Sequence, residues 1–96
     1  MDPKHIRCVV CAAEEMHFGR AAQALHMLPA GFGRHIRALE DELGVQLFER
    51  TTRSVVLTEA GREFVRETRP LIEAADAIAE RFRDRGRSVS RVIRLG

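Results

Sequence analysis

Apolar positions recur at helical spacing along most of this chain, and the punctuation between them divides it into segments. Asp2 before Pro3 places an N-cap acceptor ahead of a proline at the first helical position. Ile6, Val9, Val10 and Ala13 then share one face, so a first helix is predicted to run to Glu15 or Met16. A shorter helix is predicted over residues 18–25, with Phe18, Ala21, Ala22 and Leu25 turned inward. Only His26, Met27 and Leu28 separate it from the next helical pattern. Two helices joined so tightly cannot lie antiparallel and must cross steeply, as in a helix-turn-helix.

Residues 28–44 carry the sharpest pattern. Phe32, Ile36, Leu39 and Leu43 fall on one narrow face, while Ala30, Gly33, Arg34, Arg37 and Asp41 fall on the other. Pro29 suits the first turn and Gly44 the position just past the end, which gives a helix of about four turns, roughly 22 Å long. The outer N-terminal half carries small residues and two arginines. A slim face with a few long donors suits a groove better than it suits bulk solvent.

The period then shortens. V-Q-L-F-E-R and S-V-V-L are short β-type runs, and Thr51-Thr52 between Arg50 and Arg53 forms the tip of a predicted hairpin. A two-stranded hairpin must lean on the helices, as a wing would. Thr58 is a suitable N-cap for a long helix reaching about Arg85. Phe64, Thr68, Leu71, Ala75, Ile78 and Phe82 form a heptad seam along it, widened by Val65, Ile72 and Ala79. Pro70 interrupts this helix at a cost of about 3 kcal/mol, which burial of the seam's large side chains at roughly 1.5–3 kcal/mol each outweighs. A kinked but continuous helix is therefore expected. It is too long for a small body to cover, so a second copy is the economical partner, through Phe64, Leu71, Ile72, Ala75, Ile78 and Phe82. The alternative is a helix folded back on its own domain. Gly86 is expected to end the helix, and Val89 to Leu95 reads as a strand. Three units follow: a winged helix-turn-helix unit over 1–58, a linker helix over 59–86, and the start of a truncated further domain over 87–96, which the resemblance described below implies to be a DNA-binding domain, a dimerisation helix and an effector domain.

Composition changes this picture little. Ninety-six residues make one small domain, and the five aromatics are all Phe, so the core must be aliphatic. The net charge of +2 does not by itself mark a polyanion binder. Fifteen of the sixteen basic residues are Arg, the side chain suited to bidentate phosphate and guanine contacts. No apolar run is long enough to span a membrane and the N-terminus lacks a signal pattern, so a cytoplasmic protein is expected. Cys8 and Cys11 form C-x-x-C inside an apolar helical run, and His5, His17, His26 and His35 have no ligand spacing. The two cysteines are read as small core residues rather than as a metal or redox pair. No nucleophile and base set, and no phosphate-cradling loop, is visible, so neither an enzyme, a metal nor a cofactor is expected.

Several segments agree in order with one family. Ala21-Ala22-Gln23-Ala24-Leu25-His26, then L-E-D-E-L-G-V-Q-L-F-E-R-T-T-R over 39–53, then Leu57-Thr58-Glu59-Ala60-Gly61, resemble the N-terminal DNA-binding domain of LysR-type transcriptional regulators. The resemblance implies a mainly α, winged helix-turn-helix followed by a dimerisation helix. It also implies a homodimer on a partly palindromic promoter site in double-stranded DNA, with a small-molecule effector only if a further C-terminal domain exists. Where the family often has Ser-Gln-Pro-x-Leu-Ser, this chain has Leu28, Pro29, Ala30, Gly31, Phe32 and Gly33, so two polar contact positions are lost, at Pro29 and Gly33. Arg34 and Arg53 are kept. The expected DNA contacts are Pro29, Ala30, Gly31, Gly33, Arg34 and Arg37 on the helix, with Arg50, Thr51, Thr52 and Arg53 on the wing. Two rival readings are a helical protein-interaction module and a C-x-x-C redox enzyme.

Overall fold

The computed structural model describes residues 1–49 and 55–95, with side chains as far as Arg87. Four helices follow one another: α1 (Pro3–Glu15), α2 (Phe18–Ala24), α3 (Pro29–Leu43) and α4 (Glu59–Leu95). α1 begins as its sequence requires, with Asp2 accepting from the Lys4 N–H at 2.8 Å and Pro3 in the first turn. It ends on Met16, whose left-handed backbone (φ 53°) directs its N–H to the Ala12 carbonyl.

The turn between α2 and α3 is a Schellman closure. His26 takes the left-handed conformation (φ 57°), its N–H bonds to the Gln23 carbonyl, and the Met27 N–H reaches back to Ala22 at 2.8 Å. Histidine in that conformation is unusual among non-glycine residues. The closure satisfies the end of a seven-residue helix and turns the chain at once into α3. Ala21 and Ala22 are fully buried, and their small size lets α1, α2 and α3 approach closely.

The core collects Val9, Val10, Cys8 and Ala12 from α1 with Phe32, Ile36 and Leu39 from α3 and Leu47, Phe48 and Val55 from the segment that follows. The expected inward face of α3 holds for its first three members. Leu43 is 37% exposed because it lies in the last turn, past the reach of α1. Phe18 is also more exposed than expected, at 40%, although its ring meets Phe32 and Phe48 edge-on with centroids 6.2 and 5.4 Å away. As the first residue of α2 it sits at the rim of the core.

At the base of the expected hairpin the chain pairs antiparallel. Phe48 bridges Leu57, and the Glu49 N–H donates to the Val56 carbonyl at 2.8 Å. Arg50, Thr51, Thr52 and Arg53 lie outside the described residues.

α4 runs unbroken through Pro70 and through Gly86. The strand expected at 89–95 is therefore helix, and the predicted stop at Gly86 is overturned. One glycine costs about 1 kcal/mol in a helix that is already nucleated, whereas a lone terminal strand has no ladder partner. Arg83–Glu80 and Arg87–Asp84 ion pairs at i, i+3 flank the glycine.

Candidate nucleic-acid interface

α3 presents a face that nothing else in the described chain covers. Pro29, Ala30, Arg34, Arg37 and Asp41 are exposed, and Gly31 and Gly33 are half-buried. Neither Arg34 nor Arg37 makes an ion pair or side-chain hydrogen bond among the described residues. A Cβ added at Gly33 would meet nothing within 4 Å, and one at Gly31 only the Arg34 guanidinium at 4.0 Å. The slim face predicted from the sequence is thus present, with both guanidiniums available. Leu28 stands at the N-cap of α3, 80% exposed and without a side-chain cap bond. The first-turn N–H groups of α3 consequently have no side-chain acceptor.

Phe18, Pro29, Phe32, Gly33, Ile36 and Arg37 enclose a recess of about 160 Å³ between the start of α2 and the flank of α3. Across from it, His17 caps α2: its Nδ1 accepts from the Arg20 N–H at 3.0 Å. Gly19 makes room for that ring, since a Cβ there would lie 2.9 Å from His17 Cε1. The sequence reading did not anticipate a histidine cap.

It also missed Glu40. This carboxylate is 4% exposed on the inner side of α3 and accepts from the N–H groups of Leu47 (2.8 Å) and Phe48 (3.2 Å). It thereby locks the start of the paired segment onto α3. The only sequence signal was a charged residue set at the edge of an apolar face, which carries no local pattern.

Thr58 caps α4 as expected, accepting from the Gly61 N–H at 3.0 Å while its hydroxyl donates to the Gln46 carbonyl at 2.6 Å. Along α4 the predicted seam divides. Val65 and Thr68 are buried, and Phe64 and Ile72 pack against the chain's own core, so these two are largely committed within the chain. Leu71, Ile78 and Phe82 are 62, 48 and 59% exposed, and Ala75 is exposed with them. Two ion pairs tie the middle of α4 to α1: Arg7 with Asp76 at 2.8 Å and Arg69 with Glu14 at 3.8 Å. The hydrogen bond from Arg7 holds the Asp76 carboxyl below its ordinary range.

Cys8 is buried and Cys11 half-buried, and both are free thiols. Burial pushes Cys8 up to about 11 and raises Cys11 as well, the opposite of what an active thiolate needs. No cluster of three metal-ligating side chains occurs among the described residues. No described helix is long and apolar enough to cross a membrane.

Comparison with known proteins agrees with this geometry. The family described as bacterial regulatory helix-turn-helix protein, lysR family, matches residues 3–62. The chain is 50% identical over 96 residues to the HTH-type transcriptional regulator TtuA of Agrobacterium vitis, covering all of this chain and 32% of that protein. It is 44% identical over 95 residues to the HTH-type transcriptional regulator XapR of Escherichia coli (strain K12), covering 99% of this chain and again 32% of the relative. The chain thus spans about a third of the length of these curated relatives. Among solved structures, a complex titled BenM_DBD/catB site 1 DNA superposes with a TM-score of 0.80 at 33% identity, covering 88% of this chain and 93% of that one. Full-length OxyR C199D from Pseudomonas aeruginosa superposes with a TM-score of 0.78 at 39% identity, covering 83% of this chain and 27% of that one. The family match spans α1, α2, α3, the paired segment after them and the start of α4, and the chain belongs to the lysR family of bacterial regulatory helix-turn-helix proteins.

Proposed function

We propose that this chain is the DNA-binding portion of a cytoplasmic transcriptional regulator, without enzymatic activity, that binds a partly palindromic promoter site as a homodimer. The observation that carries the reading is the outer face of α3: slim, unobstructed and furnished with two unpaired guanidiniums among the described residues. Inserted in a major groove, Arg34 contacts a base edge or phosphate and Arg37 a phosphate. Pro29, Ala30, Gly31 and Gly33 allow close approach, and the uncapped N–H groups around Ala30 and Gly31 bind a phosphate oxygen. Arg50, Thr51, Thr52 and Arg53 anchor the wing on the flanking backbone or minor groove. The exposed stripe of Leu71, Ala75, Ile78 and Phe82 pairs with its copy in a second subunit, with Phe64 and Ile72 bordering it. A small-molecule effector is a partner only if a further C-terminal domain exists.

Selection from a random duplex pool tests this directly. The bound sites should contain two related half-sites, and Arg34→Ala should weaken binding to them well beyond twofold at fixed salt. Unchanged affinity would falsify the role of Arg34. Binding should also fall steeply as salt rises, because several phosphates lose their counterions to the protein.

A further inference from the structure

The recess beside α3 has a composition that a purely phosphate-binding surface does not need. Five of its six lining residues are apolar: Phe18, Pro29, Phe32, Gly33 and Ile36. Its sixth side, Arg37, is one of the two unpaired guanidiniums of α3, so the recess is continuous with the proposed DNA face. Pro29, Gly33 and Arg37 follow one another at i, i+4 and i+8, the flank of α3 next to Ala30 and Arg34. The recess exists because residue 33 has no side chain; its Cβ direction is open space to 4 Å. Its wall on the α2 side is the ring of Phe18, held by edge contacts to Phe32 and Phe48 and therefore fixed in place.

In the major groove only one natural base edge presents an apolar group, the C5-methyl of thymine. A polar base edge placed in the recess would lose water without gaining a hydrogen bond, whereas a methyl group would gain contacts with Phe18, Pro29 and Ile36. We infer that this recess reads a thymine by taking up its C5-methyl, so that Gly33 and Phe18 determine specificity at one base pair of each half-site. The inference rests on the DNA-binding reading above and names the readout that replaces hydrogen bonding at positions 29 and 33. A buried methyl contributes about fourfold in affinity per half-site, hence on the order of tenfold or more for a dimer on two half-sites.

The test uses the 96-residue chain and the best duplex from the random selection. Each thymine of both half-sites is replaced in turn by deoxyuridine, which removes only the methyl group and keeps both Watson–Crick and O4 contacts. One symmetric pair of positions should lose about tenfold in affinity while the others change little. In Phe18→Ala, which removes the ring that walls the recess on the α2 side, the same substitution should cost no more than about twofold, with a melting curve showing that the variant is folded. Equal binding of every deoxyuridine duplex by the unaltered chain, or selected half-sites without a shared thymine, overturns the inference and leaves DNA binding intact. A penalty that persists in full in Phe18→Ala also overturns it, because the methyl is then read elsewhere on the helix. Failure to bind any duplex overturns the underlying reading and this one with it.

Discussion

Replacing Gly61 with alanine sets two well-defined effects against each other. In the first turn of α4 alanine is intrinsically the better helix former by at most about 1 kcal/mol. The structure opposes that gain. A Cβ at residue 61 would stand 2.0 Å from the Leu47 carbonyl oxygen, 2.9 Å from its carbon and 3.0 Å from Leu57 Cδ2. The obstacle is backbone, so it cannot swing aside, and the gap must open by about 1.4 Å to reach an ordinary contact of 3.4 Å. Overpacking of this kind costs about 1–3 kcal/mol. Opening the gap also strains the Thr58 N–H bond to Leu47 (3.0 Å) and the Thr58 hydroxyl bond to Gln46 (2.6 Å), worth about 0.5–1.5 kcal/mol each. The balance is a loss of about 2–4 kcal/mol, which in a domain of this size lowers the melting temperature by roughly 10–20 °C. Gly33→Ala is the matched control, because its Cβ meets nothing within 4 Å and only the helix gain remains. It should raise the melting temperature by several degrees. Thermal unfolding followed by circular dichroism measures both. A Gly61→Ala variant that melts with or above the parent chain would refute the steric reasoning.

Other expectations concern separate parts of the molecule. Glu40→Ala strands two buried N–H groups, those of Leu47 and Phe48, and should cost about 2–4 kcal/mol in urea unfolding; Glu40→Gln keeps an acceptor and should cost less than half as much, so equal losses would disprove the capping role. Ile78→Glu puts a charge into the exposed stripe of α4 in both subunits and should weaken dimerisation at least a hundredfold by sedimentation equilibrium, from about 1.5–3 kcal/mol of lost burial per subunit. A dimer of unchanged strength would move the interface elsewhere. For Cys8 the folded thiol titrates at about 11 against an ordinary 9.0, so its contribution to stability is complete below pH 9 and is lost as pH rises toward 11. Stability should fall across that window, less steeply in Cys8→Ala; an identical profile in the variant would assign the fall to other groups.

Much of the fold was legible because its signals are local. Asp2-Pro3, Pro29 with Gly44, and Thr58 each mark a helix end through their own backbone chemistry, and each stands where the structure has it. The inward face of α3 follows from spacing alone as far as Leu39. Three features were not legible, for three different reasons. Glu40 acts on residues seven and eight positions away, and only the path of the chain after Gly44 brings them back to it. His26 and His17 perform tasks usual for glycine and for serine or aspartate, so residue preference pointed elsewhere. The run at 89–95 has the β-branched content of a strand, yet it continues a helix already formed, and propagation costs far less than a new start. The seam of α4 was read as one stripe, but the face turned to the core is that of Val65, Thr68 and Ile72, with Phe64 beside it; Leu71 lies about 100° round the helix from Ile72, Ile78 and Phe82 lie further along, and all three are exposed.

These features converge on Leu47. Its N–H is held by Glu40 of α3, its carbonyl accepts from Thr58 at the start of α4, and Gly61 presses against that same carbonyl. The bridge between Phe48 and Leu57 begins one residue further on. α3, the base of the expected wing and α4 are therefore joined through the described backbone around Leu47. Such a joint matters more for a dimer than for one domain on its own. Two recognition helices reading successive major grooves must lie about 34 Å apart, and a small change of angle at the root of a helix some 55 Å long is magnified at its far end. The Arg7–Asp76 and Arg69–Glu14 pairs are exposed and screened by solvent, and they cannot hold that angle alone. The buried Glu40 carboxylate, the Thr58 cap and the close contact at Gly61 hold it instead, at the joint between the helix proposed to meet DNA and the helix proposed to meet a second subunit.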